Sequence, residues 1–135
     1  MEATRRSRSG LAYSEEKPTS AVEAVFLLLH GLPGSGAGWG PVADVLSASH
    51  HVIVPDLLGF GASDRPASLE ELHATAQAGA VAGLLDELDT GPVVIAAHDF
   101  GGPVALALHA RRPALVAALA LLATNTFTDT PIPFP

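Results

Sequence analysis

One acidic residue, Asp99, lies in a segment that could present it as a nucleophile. Small residues, Ala97 and Gly101, stand two positions before and two positions after it. That spacing lets a chain pass from strand to helix through a very tight turn, with the middle side chain standing out at the end of the sheet. A carboxylate is ionised at pH 7 and needs no base to become a nucleophile, and a helix start favours an anion. The segment therefore predicts a carboxylate placed to attack.

Other interpretations of the nearby residues stay open. Aspartate is also a preferred helix N-cap, which is the alternative for Asp99. His98 and His30 lie in glycine-rich turns. For His98 we predict a structural role, with a general base as the alternative, because its position beside Asp99 points it elsewhere in the turn; for His30 we predict that it fixes its loop and is not a catalyst.

The elements that would position Asp99 follow an alternating pattern. Apolar runs at residues 22–29, 51–55, 93–97 and 116–123 suit strands buried on both faces. Helical patterns lie between them, one beginning at Pro41, one after a capping box of Ser68 and Glu71, and one ending near Arg111. The pattern predicts an α/β fold, a parallel sheet with helices on both faces.

Three glycine-rich loops follow the predicted strands, at residues 30–40, 56–66 and 98–102. In parallel sheets, ligands bind beyond the carboxyl ends of the strands. We therefore expect the functional site to lie where these loops meet.

The three loops, in this order, resemble the α/β-hydrolase family over roughly residues 20–127. H-G-L-P-G-S at 30–35 is similar to that family's oxyanion loop, and P-D-L-L-G-F-G-A-S-D at 55–64 to the segment after its next strand. A-H-D-F-G-G at 97–102 is similar to its nucleophile elbow, which commonly carries serine. The aspartate form resembles the branch of haloalkane dehalogenases, haloacetate dehalogenases and epoxide hydrolases.

This resemblance implies a hydrolase that acts on a small alkyl halide or epoxide through an alkyl-ester intermediate. Asp99 would be the nucleophile. The backbone N–H groups of Leu32 and Phe100 would form the oxyanion hole while water, activated by a histidine, hydrolyses the ester. Because Phe100 lacks the N–H of the halide-binding tryptophan found there in haloalkane dehalogenases, both substrate classes stay open.

The family's histidine lies far downstream of the nucleophile, but only His109 follows Asp99 here, inside the next predicted helix. Asp129 is a loosely placed candidate for the family's acid, with a solvated tail residue as the alternative. The resemblance thus covers the N-terminal half of the family's core, without the lid and the last strands. It predicts at most one alkylation of Asp99 and little or no turnover by the 135-residue chain.

Composition limits the other function classes. The 14 acidic and 7 basic residues give a net charge of −7, which argues against a nucleic-acid-binding face. The absence of cysteine excludes thiolate catalysis and Cys-ligated zinc, and we expect neither a cofactor nor a metal. No apolar run reaches the roughly 20 residues of a membrane helix, and no signal peptide is recognised, so the default expectation is no membrane and a cytoplasmic location.

The predicted organisation has two parts. Residues 1–20 are expected to be a polar, solvated arm, with a short strand or hairpin near 11–13 as a variant, and residues 21–135 a partial α/β-hydrolase domain. The apolar run at 116–123 is expected to leave an exposed edge strand, which invites pairing with another chain. The alternative function is therefore a non-catalytic fragment or interaction module, completed by self-association or by a complementing chain.

Overall fold

A computed structural model of the protein describes residues 4–124, with a six-stranded sheet at its centre. The strands are β1 (Arg5–Arg6), β2 (Ala12–Glu16), β3 (Val25–Leu29), β4 (His51–Pro55), β5 (Val93–His98) and β6 (Val116–Leu122). The α-helices are α1 (Gly40–Leu46), α2 (Ala74–Leu88) and α3 (Gly101–Arg111), and short 3-10 turns span Gly36–Trp39, Leu69–Leu72 and Pro113–Leu115.

The spatial order of the strands is β1-β2-β4-β3-β5-β6. Strands β4, β3, β5 and β6 are parallel, and one α-helix connects each consecutive pair along the chain. Because the carboxyl ends of parallel strands lie at one edge, the loops after β3, β4 and β5 meet there. The predicted α/β fold is confirmed for this part of the sheet.

Strand β3 shows how the sheet divides the core between two layers. Leu27 and Leu29 belong to the larger cluster, with α2 and α3, whereas Leu28 packs in the smaller cluster with Ala43 of α1. Successive side chains of a strand point to opposite faces, so a continuous apolar run is needed when both faces are covered. The helices therefore cover both faces, as expected.

The N-terminal segment differs from the solvated arm expected for residues 1–20 and agrees with the variant, a short strand or hairpin near 11–13. Strand β2 pairs antiparallel with β4, and β1 pairs with β2. Leu11 is 0% exposed and Tyr13 is 6% exposed. Sequence polarity was misleading because Glu15 is buried and compensated: it accepts a hydrogen bond from Arg5 over 3.1 Å and lies 2.8 Å from Nε2 of His51. A paired charge tolerates burial that an unpaired one would not.

Strand β6 forms the opposite edge of the sheet among the described residues. Leu121 and Leu122 are 38% and 44% exposed, and no residue of the strand is charged. Within residues 4–124, none of the helices combines the length and the apolar character that crossing a membrane requires.

Candidate active site

The turn from β5 into α3 holds Asp99 in a left-handed backbone conformation, with φ +51°. The Asp99 N–H donates to the Leu122 carbonyl over 3.2 Å, and the Asp99 carbonyl accepts the Gly102 N–H over 3.0 Å. The Thr124 hydroxyl donates to the same carbonyl. Non-glycine residues with positive φ are uncommon and persist where the surroundings fix them. The three hydrogen bonds fix the Asp99 backbone in this conformation. They involve only its backbone groups, so the side chain is available for other contacts.

Gly101, two residues after Asp99, allows this turn to pack against β3. A Cβ atom placed on Gly101 would lie 2.6 Å from the Leu29 carbonyl oxygen and 3.0 Å from that of His30. Both are backbone atoms, which cannot move aside as the end of a side chain could. The small residue that the sequence pattern required is therefore needed for packing between the elbow and β3.

The loop after β3 brings Leu32 to Asp99. The Leu32 backbone N–H donates to Oδ2 of Asp99 over 2.9 Å, although the two residues are 67 positions apart. A Cβ on Gly31 would lie 2.8 Å from the same oxygen and closer still to Cβ of Asp99. Glycine at position 31 thus permits the approach that makes this hydrogen bond.

Backbone donors also set the charge state of Asp99. The Leu32 N–H lowers the pKa of the Asp99 carboxyl below its ordinary value, partial burial opposes this, and the Phe100 N–H and the neighbouring His98 lower the pKa further. Hydrogen bonds to a carboxylate favour its ionised form. The three residues predicted for the site, Asp99, Leu32 and Phe100, therefore meet in one place, and the carboxylate is ionised at neutral pH.

A cleft of about 340 Å³ opens beside this contact. Its lining includes Leu32, Trp39, Val42, His98 and Leu122. Asp99 is not among the lining residues but accepts a hydrogen bond from one of them, Leu32. The lining is mostly apolar, as is usual for sites that take small organic molecules. A larger groove of about 440 Å³ between α2 and α3 contains none of the predicted site residues.

The remaining sequence candidates lie as follows. His30 is buried and bonded to two loops, in agreement with the loop-holding role expected for it. His98 is exposed and lines the cleft. His109 is exposed in the last turn of α3, and Asp129 lies outside the described residues.

Two residues that organise the loops had no role in the sequence analysis. Asp56 accepts the N–H groups of Gly36, over 2.7 Å, and Ala62, over 2.9 Å, and so joins the loop after β3 to the loop after β4. Gln77 is fully buried; it accepts the Leu58 N–H and donates to the Leu58 carbonyl, over 2.8 and 2.9 Å. Its position as a polar residue on the apolar face of α2 was the sequence feature that could have predicted a buried hydrogen-bonding role for Gln77.

Comparison with known proteins agrees with this architecture. A model of the alpha/beta hydrolase fold family matches residues 24–135. The chain belongs to the alpha/beta hydrolase fold family. The prediction made from the three loops is thereby confirmed at the level of the family and of the fold.

Relatives of this alpha/beta hydrolase carry several hydrolase names. A haloalkane dehalogenase of Psychrobacter cryohalolentis is 36% identical over 119 residues, covering 87% of this chain and 38% of the relative. A lipase of Mycobacterium tuberculosis is 42% identical over 101 residues, covering 71% of this chain and 35% of the relative. The crystal structure of an epoxide hydrolase from Vigna radiata superposes with a TM-score of 0.83 at 27% identity, covering 96% of this chain and 40% of that one.

The chain thus spans between a third and two fifths of the length of these relatives. The similarity supports a hydrolase at the family level. Similarity to proteins named haloalkane dehalogenase and epoxide hydrolase agrees with the branch that the elbow sequence resembles.

Proposed function

We propose that Asp99 is the nucleophile of a hydrolase that acts at a saturated carbon of a small alkyl halide or epoxide. The observation that carries the proposal is the hydrogen bond from the Leu32 N–H to Oδ2 of Asp99, 2.9 Å long, at a strained turn beside a cleft. This contact holds one carboxylate oxygen and keeps the group ionised. The other oxygen, Oδ1, is then the atom available for attack.

In the proposed first step, Oδ1 forms a bond to the substrate carbon while the bond to the leaving group breaks. A halide departs as the anion, whereas an opened epoxide becomes an alkoxide that takes a proton from water. Asp99 becomes an alkyl ester, and Oδ2 becomes its carbonyl oxygen. Because Oδ2 already faces the Leu32 N–H, no rearrangement of the loop is needed.

In the proposed second step, water adds to the ester carbon and negative charge develops on Oδ2. The N–H groups of Leu32 and Phe100 would stabilise this charge, as donors fixed before the reaction. The attacking water must also lose a proton to a base. His30 has both ring nitrogens engaged and His109 lies in the last turn of α3, so neither is placed for this task. His98 borders the cleft but directly precedes Asp99 in the chain, and we predict a structural role for it and not that of the base. We therefore expect the 135-residue chain to be alkylated once and to retain the ester.

Mass spectrometry tests the nucleophile directly. The 135-residue chain is incubated with phenacyl bromide or styrene oxide, and the modified residue is located by peptide mapping. We expect one adduct, on Asp99, which is lost in Asp99→Asn. The matched control is Asp89→Asn, because Asp89 has the same φ of +51° but caps a helix end. Modification that survives Asp99→Asn would contradict the assigned nucleophile, and sustained turnover would contradict the persistent ester.

Within residues 4–124, β6 has a neighbouring strand on one side only, which favours a second candidate function, in which two copies of this chain pair along β6. β6 is an uncharged edge strand with two leucines more than a third exposed, and such an edge is a template for strand pairing. Light scattering tests this proposal. We expect an oligomer that Ala120→Lys, on β6, dissociates and that Ala110→Lys, exposed at the end of α3, leaves intact. A monomer at all concentrations would refute self-association.

A further inference from the structure

His30 contacts two loops of the site through opposite sides of its ring. The side chain is only 4% exposed. Its Nδ1 lies 2.9 Å from the Gly31 carbonyl oxygen, and its Nε2 lies 2.9 Å from the Leu57 backbone nitrogen. The Phe60 ring packs edge-on against the imidazole, with ring centres 5.9 Å apart. The ring is therefore held in one orientation.

The contact with Leu57 decides which nitrogen of His30 carries the proton. A backbone N–H can only donate, so Nε2 must accept and carries no hydrogen. The hydrogen of the neutral ring then lies on Nδ1, which donates to the Gly31 carbonyl. A doubly protonated ring would place an N–H against the Leu57 N–H, so the two contacts together require the neutral form.

The group that accepts from His30 and the group that donates to Asp99 belong to the same peptide unit. The Gly31 carbonyl and the Leu32 N–H are joined by a bond with partial double-bond character, which keeps them in one plane and pointing in opposite directions. Fixing the carbonyl oxygen therefore fixes the direction of the N–H, which reaches Oδ2 of Asp99 over 2.9 Å. Hydrogen bonds in series also strengthen one another by polarisation.

We propose that His30, as the neutral Nδ1–H tautomer, is a positioning residue that aims the Leu32 N–H at Asp99. His30 touches neither the Asp99 carboxylate nor the reacting atoms, and it acts through the Gly31–Leu32 peptide. Its importance for catalysis rests on the proposed function, in which that N–H belongs to the oxyanion hole. Its effect on the ionisation of Asp99 does not rest on catalysis and can be measured without substrate.

Two conservative substitutions separate the two contacts of His30. The amide of His30→Asn lies where Nδ1 lies, so this variant keeps a donor for Gly31 and loses the acceptor for Leu57. His30→Gln reaches the Nε2 position, so it keeps the acceptor and loses the donor. We expect an NMR titration of the Asp99 carboxyl carbon to show its low pKa retained in His30→Asn and shifted upward in His30→Gln. A purely structural role would not distinguish the variants in this order.

Gln77 supplies the matched control, because it is also buried and its hydrogen bonds go to Leu58, next to Leu57, and not to Gly31. We expect Gln77→Met to lower the urea midpoint of unfolding and to leave the Asp99 titration unchanged. Equal Asp99 titrations in both His30 variants, or an upward shift in Gln77→Met equal to that in His30→Gln, would overturn the proposal.

A measurement on the unsubstituted chain guards against variants that fail to fold. The ¹⁵N chemical shifts of the His30 ring at neutral pH should show hydrogen on Nδ1 and none on Nε2, and the opposite tautomer or a doubly protonated ring would overturn the proposal. The outcomes also separate the two proposals. No adduct on Asp99, together with the expected titrations, would remove the alkylation chemistry and leave the positioning role standing.

Discussion

Strand β5 is flanked by two aspartates that share a positive φ and differ in the contacts of their side chains. Asp89 precedes the strand and Asp99 follows it, and both have φ +51°. Asp89 is exposed at the end of α2, where its N–H closes the helix on carbonyls of the last turn. The Asp99 carboxylate instead accepts an N–H from the loop after β3. Thus, of two aspartates with the same positive φ, Asp89 ends a helix and Asp99 is the candidate nucleophile.

The glycines near these two aspartates explain the difference. A Cβ on Gly91 would meet no atom within 4 Å, whereas a Cβ on Gly101 would lie 2.6 Å from a backbone oxygen of β3. The local turn chemistry is similar, since aspartate tolerates the left-handed region in both places. In this protein, an aspartate with positive φ is therefore a candidate nucleophile only where closely packed glycines allow a second loop to contact it.

The largest expected effect comes from adding one methyl group to each turn. Gly101→Ala should lower the free energy of unfolding by about 3 kcal/mol or more, because the clash is with backbone, and should abolish adduct formation at Asp99. Gly91→Ala, with φ +65° and open space around it, should cost only the left-handed strain of roughly 1–2 kcal/mol. Urea unfolding of both variants measures this, and equal losses would show that the two turns are packed alike.

The next largest expected effect is on the rate of Asp99 alkylation, when a methyl group is added to the loop that contacts Asp99. Gly31→Ala places a Cβ against the Asp99 side chain, whereas Gly38→Ala, in the same loop, adds a methyl group in open space. We expect Gly31→Ala to reduce the rate of Asp99 alkylation at least about tenfold, equivalent to about 1.4 kcal/mol, and Gly38→Ala to leave it unchanged. Unaltered alkylation in Gly31→Ala would mean that the Leu32 contact is not required for attack.

The pH dependence of alkylation follows from the lowered pKa of Asp99, whose main cause is the Leu32 N–H. The rate should still exceed half its maximum at about pH 3.9, the ordinary aspartate value, and should reach half its maximum only at a lower pH. The same contact stabilises the fold above the unfolded-state pKa, and this contribution is lost as pH falls through the folded-state value. A rate that is half-maximal at or above the ordinary value would contradict the hydrogen bond.

The smallest expected effect is on the free energy of unfolding, when the backbone strain at Asp89 or Asp99 is relieved. Asp89→Gly should raise the free energy of unfolding by up to about 1 kcal/mol, because glycine adopts positive φ without steric cost. It should leave Asp99 alkylation unchanged. Asp99→Gly should relieve similar strain but also lose the hydrogen bond from the Leu32 N–H, so it should gain less stability than Asp89→Gly and should lose the adduct. Thermal unfolding of the two variants provides the test, and destabilisation by Asp89→Gly would mean that the Asp89 side chain contributes more than a cap.

Much of the fold could be predicted because its signals are local. The run 51–55 is strand β4 as expected, and the apolar runs around 93–97 and 116–123 are β5 and β6 within one residue. A strand or hairpin near 11–13 was only the variant interpretation of the N-terminal segment, because the burial of Glu15 depends on His51, 36 positions away, and on Arg5. A local pattern carries no information on whether a charge will find a partner.

The sequence by itself determined which residues could form the elbow and the loop that faces it. Asp99 between small residues and the glycines at 31 and 34 mark tight turns in the sequence, and periodicity placed them at strand ends. The close approaches that require glycine at positions 31 and 101 came from the tertiary structure. Only the tertiary structure decided that the Leu32 N–H reaches Oδ2 of Asp99 and that His30 and Asp56 join the loops. Such contacts depend on how two layers of side chains pack across the sheet, and that packing brings together residues far apart in the chain.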